Sequence, residues 1–317
     1  MTGVAQDLPV KARPAPAKKA KNHVPAAERK RHLAAYGLLA PSLFGVLVFL
    51  LIPVIFVFVL SFMKWNMLNA PAFVGFSNYI DAFRYEGAWH ALVVTFWYFL
   101  LNIPAQTVLA LGMAMLMNRK GRFTAVIRVL CVLPYLAMPV AMGVVWQWIF
   151  APQTGVVNTL LHLIGITGPN WLNSPEWAMP VVAFANIWQY VGYNMLFFLA
   201  GLAAIPPTVY EASAIDGATA WKRFWHITLP LLRPSMLFVV VTGAIGSFQV
   251  FDTVYVMTNG GPGNATTVMN MLIYNNGFVG FRFGTASALS VILFLVILVV
   301  TLVQFRYFQK RAVYEMV

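Results

Sequence analysis

Long apolar runs dominate the chain, and short polar breaks divide them. No Lys, Arg, Asp or Glu occurs from His32 to Met63, Gly87 to Asn118, Val129 to Pro175, Trp177 to Tyr210, Pro234 to Phe251 or Phe283 to Phe305. A helix needs roughly 20 mostly apolar residues to cross the hydrocarbon layer of a bilayer, so each run supplies about one such helix and leaves its surplus for loops. The pattern predicts an all-α integral membrane protein with six transmembrane helices, near 36–62, 90–117, 124–150, 178–204, 235–257 and 285–307. The fifth is the least regular, because Asp252 falls within it.

Basic residues orient the spans. With the N-terminus inside, the cytoplasmic side receives eight Lys/Arg from 1–35, four from 119–128, three from 222–233 and three from 306–311, against Lys64, Arg84 and Arg282 outside. Both termini are thereby placed in the cytoplasm. Composition agrees with a membrane protein: 60% of residues are hydrophobic and 9% charged, where soluble domains carry about 25% charge. The net charge of +12 is explained by topology, and no nucleic-acid partner is expected. Cys131 is the one cysteine; no disulfide can form within the chain, and the residue suits a small buried hydrophobe.

Residues 1–35, rich in Ala, Pro and Lys without apolar periodicity, predict a disordered basic cytoplasmic tail suited to anionic membrane lipid. The hydrophobic run that follows is too long for a signal-peptide core. Residues 313–317 are expected as a short cytoplasmic tail. Short interfacial helices are expected in the outer segments 64–88 and 151–176, and Asn118–Arg122 reads as a tight internal turn. His162 has no His, Cys or acidic residue at ligand spacing, so no metal site is expected. The Gly-rich stretch from Thr258 to Ala265 lacks a following Gly-Lys-Ser/Thr and falls outside, which excludes a phosphate-binding loop. No catalytic residue and no cofactor site of this chain's own emerges, so an enzyme is not expected.

The loop 205–234 is the longest cytoplasmic connection. Pro206 and Pro207 suit the first turn of a short helix, and Gly217 can supply the backbone reversal that a β-carbon resists. Thr219 can cap a second short helix. At 100° per residue, Trp221, Phe224 and Trp225 share one side of it and Lys222, Arg223 and His226 the other. Such a knob suits helix-in-groove docking to a partner or contact with lipid headgroups, and amphipathicity does not choose between them.

The order of residues does. Glu211-Ala-Ser-Ala-Ile-Asp-Gly217, followed by Ile227-Thr-Leu-Pro230, resembles the EAA loop of permease subunits in binding-protein-dependent ABC importers, with Ser213 replacing the usual Ala. The resemblance implies the MetI-like importer permease fold over 36–312 and a location in a bacterial or archaeal plasma (inner) membrane. In that family the loop enters a cleft on an ATPase subunit. Carried over, this makes Glu211, Ala212, Asp216, Gly217, Trp221, Phe224, Trp225 and Pro230 the candidate docking residues. The implied partners are a second homologous permease, two ATPase subunits that bind ATP and Mg, and an extracytoplasmic sugar-binding protein.

Phe251-Asp-Thr-Val-Tyr-Val-Met-Thr-Asn-Gly-Gly-Pro-Gly263, Gly192-Tyr-Asn-Met195 and Val74-Gly-Phe-Ser-Asn-Tyr79 resemble the carbohydrate-uptake branch, which takes di- or oligosaccharides or glycerol phosphates. Sugars need hydrogen-bonding groups and aromatic faces. Trp188, Gln189, Gly192, Tyr193 and Asn194 supply these in the fourth span, and Ser247, Gln249 and Asp252 in the fifth. Polar groups in a span face the bundle or a wet cavity, or bond neighbouring helices. Asp252 stands about 17 residues after Ser235, roughly 26 Å along a straight helix, which points to a capping role near the outer mouth. The alternative function is a self-sufficient secondary transporter or channel. It calls for coupling-ion residues at mid-membrane depth and repeats, and neither is evident.

Overall fold

The computed structural model describes residues 26–118, 121 and 123–309. The expected tails at 1–25 and 313–317, and the basic residues of the 118–122 turn, lie outside them. The chain divides into two units at Val54 and Ile55, and each is treated separately.

In the first unit, α1 (Ala26–Val46) runs into a wide π-helical turn at Leu47–Leu51 and then α2 (Ile52–Leu60). The tail expected to reach residue 35 is therefore already helical from Ala26.

The second unit begins within α2. A two-residue hairpin follows, β1 (Met63–Lys64) antiparallel to β2 (Ala72–Phe73), with Met63 opposite Phe73. Next come α3 (Ser77–Arg84), α4 (Ala88–Met117), α5 (Thr124–Leu136), α6 (Pro139–Ile149), α7 (Val156–Leu163) and α8 (Pro175–Ala204). The short helices expected in the two outer segments correspond to α3 and α7. The remaining helices are α9 (Pro207–Ile215), α10 (Ala220–Arg223), α11 (Leu229–Leu231), α12 (Arg233–Phe248), α13 (Asp252–Met257), α14 (Met269–Tyr274) and α15 (Phe283–Gln309).

Among the described residues, four helices are long and apolar enough to cross a membrane: Ala35–Leu60, Ala88–Met117, Pro175–Ala204 and Phe283–Phe308. Two bent pairs bring the number to six if each pair is one span. Six spans were expected, but the third and fifth are not the straight helices the runs implied.

The third bends by 97° between α5 and α6. Pro139 disfavours helical backbone at the residue before it, and Ala137 and Met138 are accordingly extended, with ψ of 145° and 128°. The fifth, Arg233–Phe248, meets Ala220–Leu231 before it at a 65° bend at Leu232, and it stops at Phe248, so the helix expected over 235–257 is corrected at its far end. Residues 249–251 are non-helical, and Asp252 opens a new helix. At the break, Asn270 Nδ2 donates to the Gln249 carbonyl at 2.7 Å, which satisfies a group that continued helix would have used.

α4 and α8 form the most extensive helix pair. They pack so that Asn102, Gln106 and Asn194 are at most 6% exposed, while Val108 and Leu116 on α4 are 69% and 64% exposed. Polar groups inside and large aliphatics outside invert the soluble pattern, as expected where the surrounding solvent is lipid. Closest packing occurs at Gly192, where a β-carbon would lie 1.7 Å from the Cys131 carbonyl oxygen; this glycine lets α5 cross α8 at backbone contact.

Candidate functional site

A cavity of about 240 Å³ opens where the broken third and fifth spans meet α4 and α8. Each element contributes polar groups for a local reason. α4 supplies Asn102 and Gln106, one turn apart on the face toward α8 and α12. Asn102 Nδ2 donates to Asn186 Oδ1 at 3.0 Å and to Ser247 Oγ at 2.9 Å, tying α4, α8 and α12 together. Its Oδ1 is buried without a partner.

α5 supplies Tyr135, whose ring stacks on Tyr193 of α8 at 4.1 Å between centroids and 12° between planes. Tyr190 meets Tyr135 edge-on at 5.6 Å. These rings make an aromatic wall. Opposite it, Thr242, Gly243, Gly246 and Ser247 keep the α12 side low and hydroxyl-bearing, and Gln249, Phe251 and Asp252 come from the break.

Among the substrate-path candidates, Tyr193, Asn194, Ser247, Gln249 and Asp252 line this cavity, while Trp188, Gln189 and Gly192 do not. Trp188 meets Trp146 edge to face at 5.3 Å. Gln189 is 3% exposed and donates Nε2 to the Ala137 carbonyl at 3.1 Å, bracing the bend. Gly192 is consumed by helix crossing. The placement of Asp252 along one straight helix is also corrected. It sits in the first turn of α13, with no side-chain cap bond at that end, and lines the cavity. Sequence reasoning passed over Asn102, Gln106, Asn186 and Tyr190, although each is a polar residue within an apolar run.

At the other end of the fourth and fifth spans stands the two-helix loop. α9 starts on Pro207 with Pro206 extended before it. It ends at Gly217 with φ of 70°, and the Ala218 N–H bonds the Ser213 carbonyl at 3.0 Å, the pattern of a left-handed helix stop. Thr219 Oγ1 then accepts from the Lys222 N–H at 3.4 Å, capping α10. A π-helical turn over Phe224–Thr228 precedes Pro230, which has no N–H to continue a regular ladder.

Tyr210 and Thr228 hydrogen-bond at 3.2 Å between their hydroxyls, joining the two arms. Glu211, Ala212, Asp216 and Gly217 are exposed, and Glu211 has no ion pair among the described residues. Trp221 is 71% exposed and Trp225 47%. The three aromatic rings do share one side, with Trp221 5.6 Å from Trp225 and Phe224 5.2 Å from Trp225. Their roles divide, however: Phe224 turns inward onto the cluster that contains Ile205 and Leu232, and Pro230 is half-buried.

A larger cavity of about 760 Å³ lies beside the β-hairpin, between Trp65, Asp81 and Arg282. None of the candidate residues lines it. Arg282 forms a bidentate ion pair with Glu86 there.

A bundle of apolar-faced helices enclosing a polar cavity, with an exposed structured loop at one end, is the outline of a membrane transport permease. The chain belongs to the family of binding-protein-dependent transport system inner membrane components, whose model matches residues 106–314. That family is a membrane transport component rather than an enzyme. The chain is 33% identical to the trehalose/maltose transport system permease protein of Thermococcus litoralis over 269 residues, covering 84% of this chain and 91% of that protein. It is 35% identical to the sn-glycerol-3-phosphate transport system permease protein of Brucella abortus over 286 residues, covering 88% and 96%. Among solved structures it resembles a bacterial alginate ABC transporter in complex with an alginate pentasaccharide-bound periplasmic protein. The TM-score there is 0.78 at 26% identity, covering 90% of this chain and 98–99% of the matched one.

Proposed function

We propose that this chain is one of two permease subunits of an ATP-driven sugar importer, forming half of the translocation pore and coupling it to cytoplasmic ATPases. The observation that carries the coupling is the loop. Exposed Glu211, Ala212 and Asp216 precede a Gly217 stop that only a residue free of a β-carbon adopts without strain, and Trp221 and Trp225 stand beside it in solvent. An exposed aromatic pair on a rigid support is what a partner groove recognises. Glu211 then pairs with a basic group on the ATPase, while Phe224 and Pro230 root the loop in the bundle.

The excess of Lys/Arg over 1–35, 119–128, 222–233 and 306–311 supports a cytoplasmic position for the loop and both termini in this reading. The sugar reading is supported by the relatives above and by the Tyr135–Tyr193 wall facing amides and hydroxyls. In this reading a second, homologous permease completes the cavity, an extracytoplasmic binding protein delivers the solute, and ATPase closure draws the two docking loops together.

The test is Gly217→Pro in the intact importer. Proline holds φ near −65°, incompatible with the 70° found here. The variant inserts normally but loses uptake and solute-stimulated ATP hydrolysis. Normal uptake would rule out the docking role, and uptake by this chain alone in liposomes would refute the importer reading.

A further inference from the structure

We infer that the wall this chain gives to the translocation path selects a neutral saccharide over an anionic one such as a phosphate ester. The inference rests on the sugar-importer reading and narrows its substrate class. Relatives named for trehalose/maltose and for sn-glycerol 3-phosphate match at 33% and 35% identity, so similarity does not choose between a neutral and a charged solute.

The charge of the cavity does choose. Among the residues lining it, Asp252 is the one Asp, Glu, Lys, Arg or His, and its side chain is acidic. No counter-cation stands near it in sequence: Lys, Arg and His are absent from Trp177 to Tyr210 and from Pro234 to Phe281. Arg233 opens α12, at the opposite end of that helix from Ser247, and two further basic side chains of the lining helices are engaged elsewhere. Arg128, at the far end of α5 from Tyr135, reaches the Met117 carbonyl through Nη2, and His90 Nε2, at the head of α4, lies 2.9 Å from the Asn264 carbonyl oxygen. A phosphate entering this cavity loses water, meets a like charge and finds no arginine or lysine.

Hydrogen-bond polarity points the same way. Asn102 Oδ1 and the Asp252 carboxylate are acceptors, and the former is buried without a partner. A sugar hydroxyl both donates and accepts, whereas a phosphate dianion only accepts. The Tyr135–Tyr193 stack offers a flat face to the C–H side of a pyranose, and the amides of Asn186 and Asn194 serve its hydroxyls. The head of α13 adds no anion site, since Asp252 already occupies its first turn and offsets the positive end of that short helix.

The experiment is saturation-transfer NMR on the complete detergent-purified importer. Maltose, trehalose and lactose are compared with sn-glycerol 3-phosphate and oligomannuronate, for the wild type and for Asp252→Asn. The expected result is binding of at least one neutral sugar about tenfold or more tighter than either anion, with the gap narrowed in Asp252→Asn. Size-exclusion chromatography verifies that the variant complex assembles. An anion that binds as tightly as every neutral sugar overturns the inference and leaves the importer reading standing. An unchanged preference in an assembled Asp252→Asn complex overturns the assignment of selectivity to this wall. Binding of neither class overturns the sugar reading, and this inference with it.

Discussion

Gln189 of α8 donates its side-chain amide to the carbonyl oxygen of Ala137, the residue at which the third span turns by 97°. The extended backbone at Ala137 and Met138 takes this carbonyl out of the helical ladder, and the amide 52 positions away replaces the missing donor. Gln189→Leu keeps the volume and deletes the donor. The unfolding free energy in detergent is expected to fall by about 1–3 kcal/mol, the cost of a buried polar group left unpaired. A thermal melt of the purified protein measures it. An unaltered melt would mean that the bend supports itself.

Gly192 and Gly246 provide a matched pair. A β-carbon at Gly192 would lie 1.7 Å from the Cys131 carbonyl oxygen, whereas one at Gly246 would meet nothing within 4 Å. Gly192→Ala is expected to cost about 1–3 kcal/mol by overpacking the α5–α8 crossing. Gly246→Ala should leave stability within about 0.5 kcal/mol of the wild type. Fluorescence-detected size exclusion after heating separates the two.

Asn102 and Ser247 are joined at 2.9 Å across α4 and α12. A double-mutant cycle with Asn102→Ala and Ser247→Ala should give a coupling of about 0.6 kcal/mol and no more than about 1.7 kcal/mol, the range for hydrogen bonds between membrane helices. Steric trapping or reversible unfolding in mixed micelles reads the coupling, and additive effects would show the bond to be energetically silent.

Trp221 is 71% exposed, and its removal should hardly touch the fold. Trp221→Ala is expected to keep stability within about 0.5 kcal/mol. If the loop docks, the variant weakens capture of the ATPase subunit by about 2 kcal/mol, roughly 30-fold. Quantitative co-purification measures this, and undiminished capture would remove Trp221 from the interface.

Sequence legibility tracked how local the cause was. The stop at Gly217 and the cap at Thr219 were legible because each depends on its own backbone and near neighbours. The bend at Ala137 left a signal in Pro139 that the unbroken hydropathy of the run concealed. The break at Gln249 left none nearby, because its stabilising partner is Asn270, 21 residues further on. Asp252 was misplaced for that reason: a rise per residue measures depth only along a continuous helix. For the cavity, chemistry was more legible than geometry. Polar residues in apolar runs marked the right helices, but Gln189 and Tyr193, one turn apart in sequence, serve a bend and a cavity respectively. Only the packing of α5 distinguishes them.

The link between Tyr210 and Thr228 has a mechanical consequence. With the hydroxyls of its two arms joined and Phe224 seated on the cluster around Leu232, the loop is a braced lever rather than a tether. Leu232 is also the fulcrum of the 65° bend that begins α12. If the loop docks, a push on the tip at Trp221 reaches the foot of the helix that carries Ser247, and the non-helical residues 249–251 are the joint through which that helix leads on to Asp252.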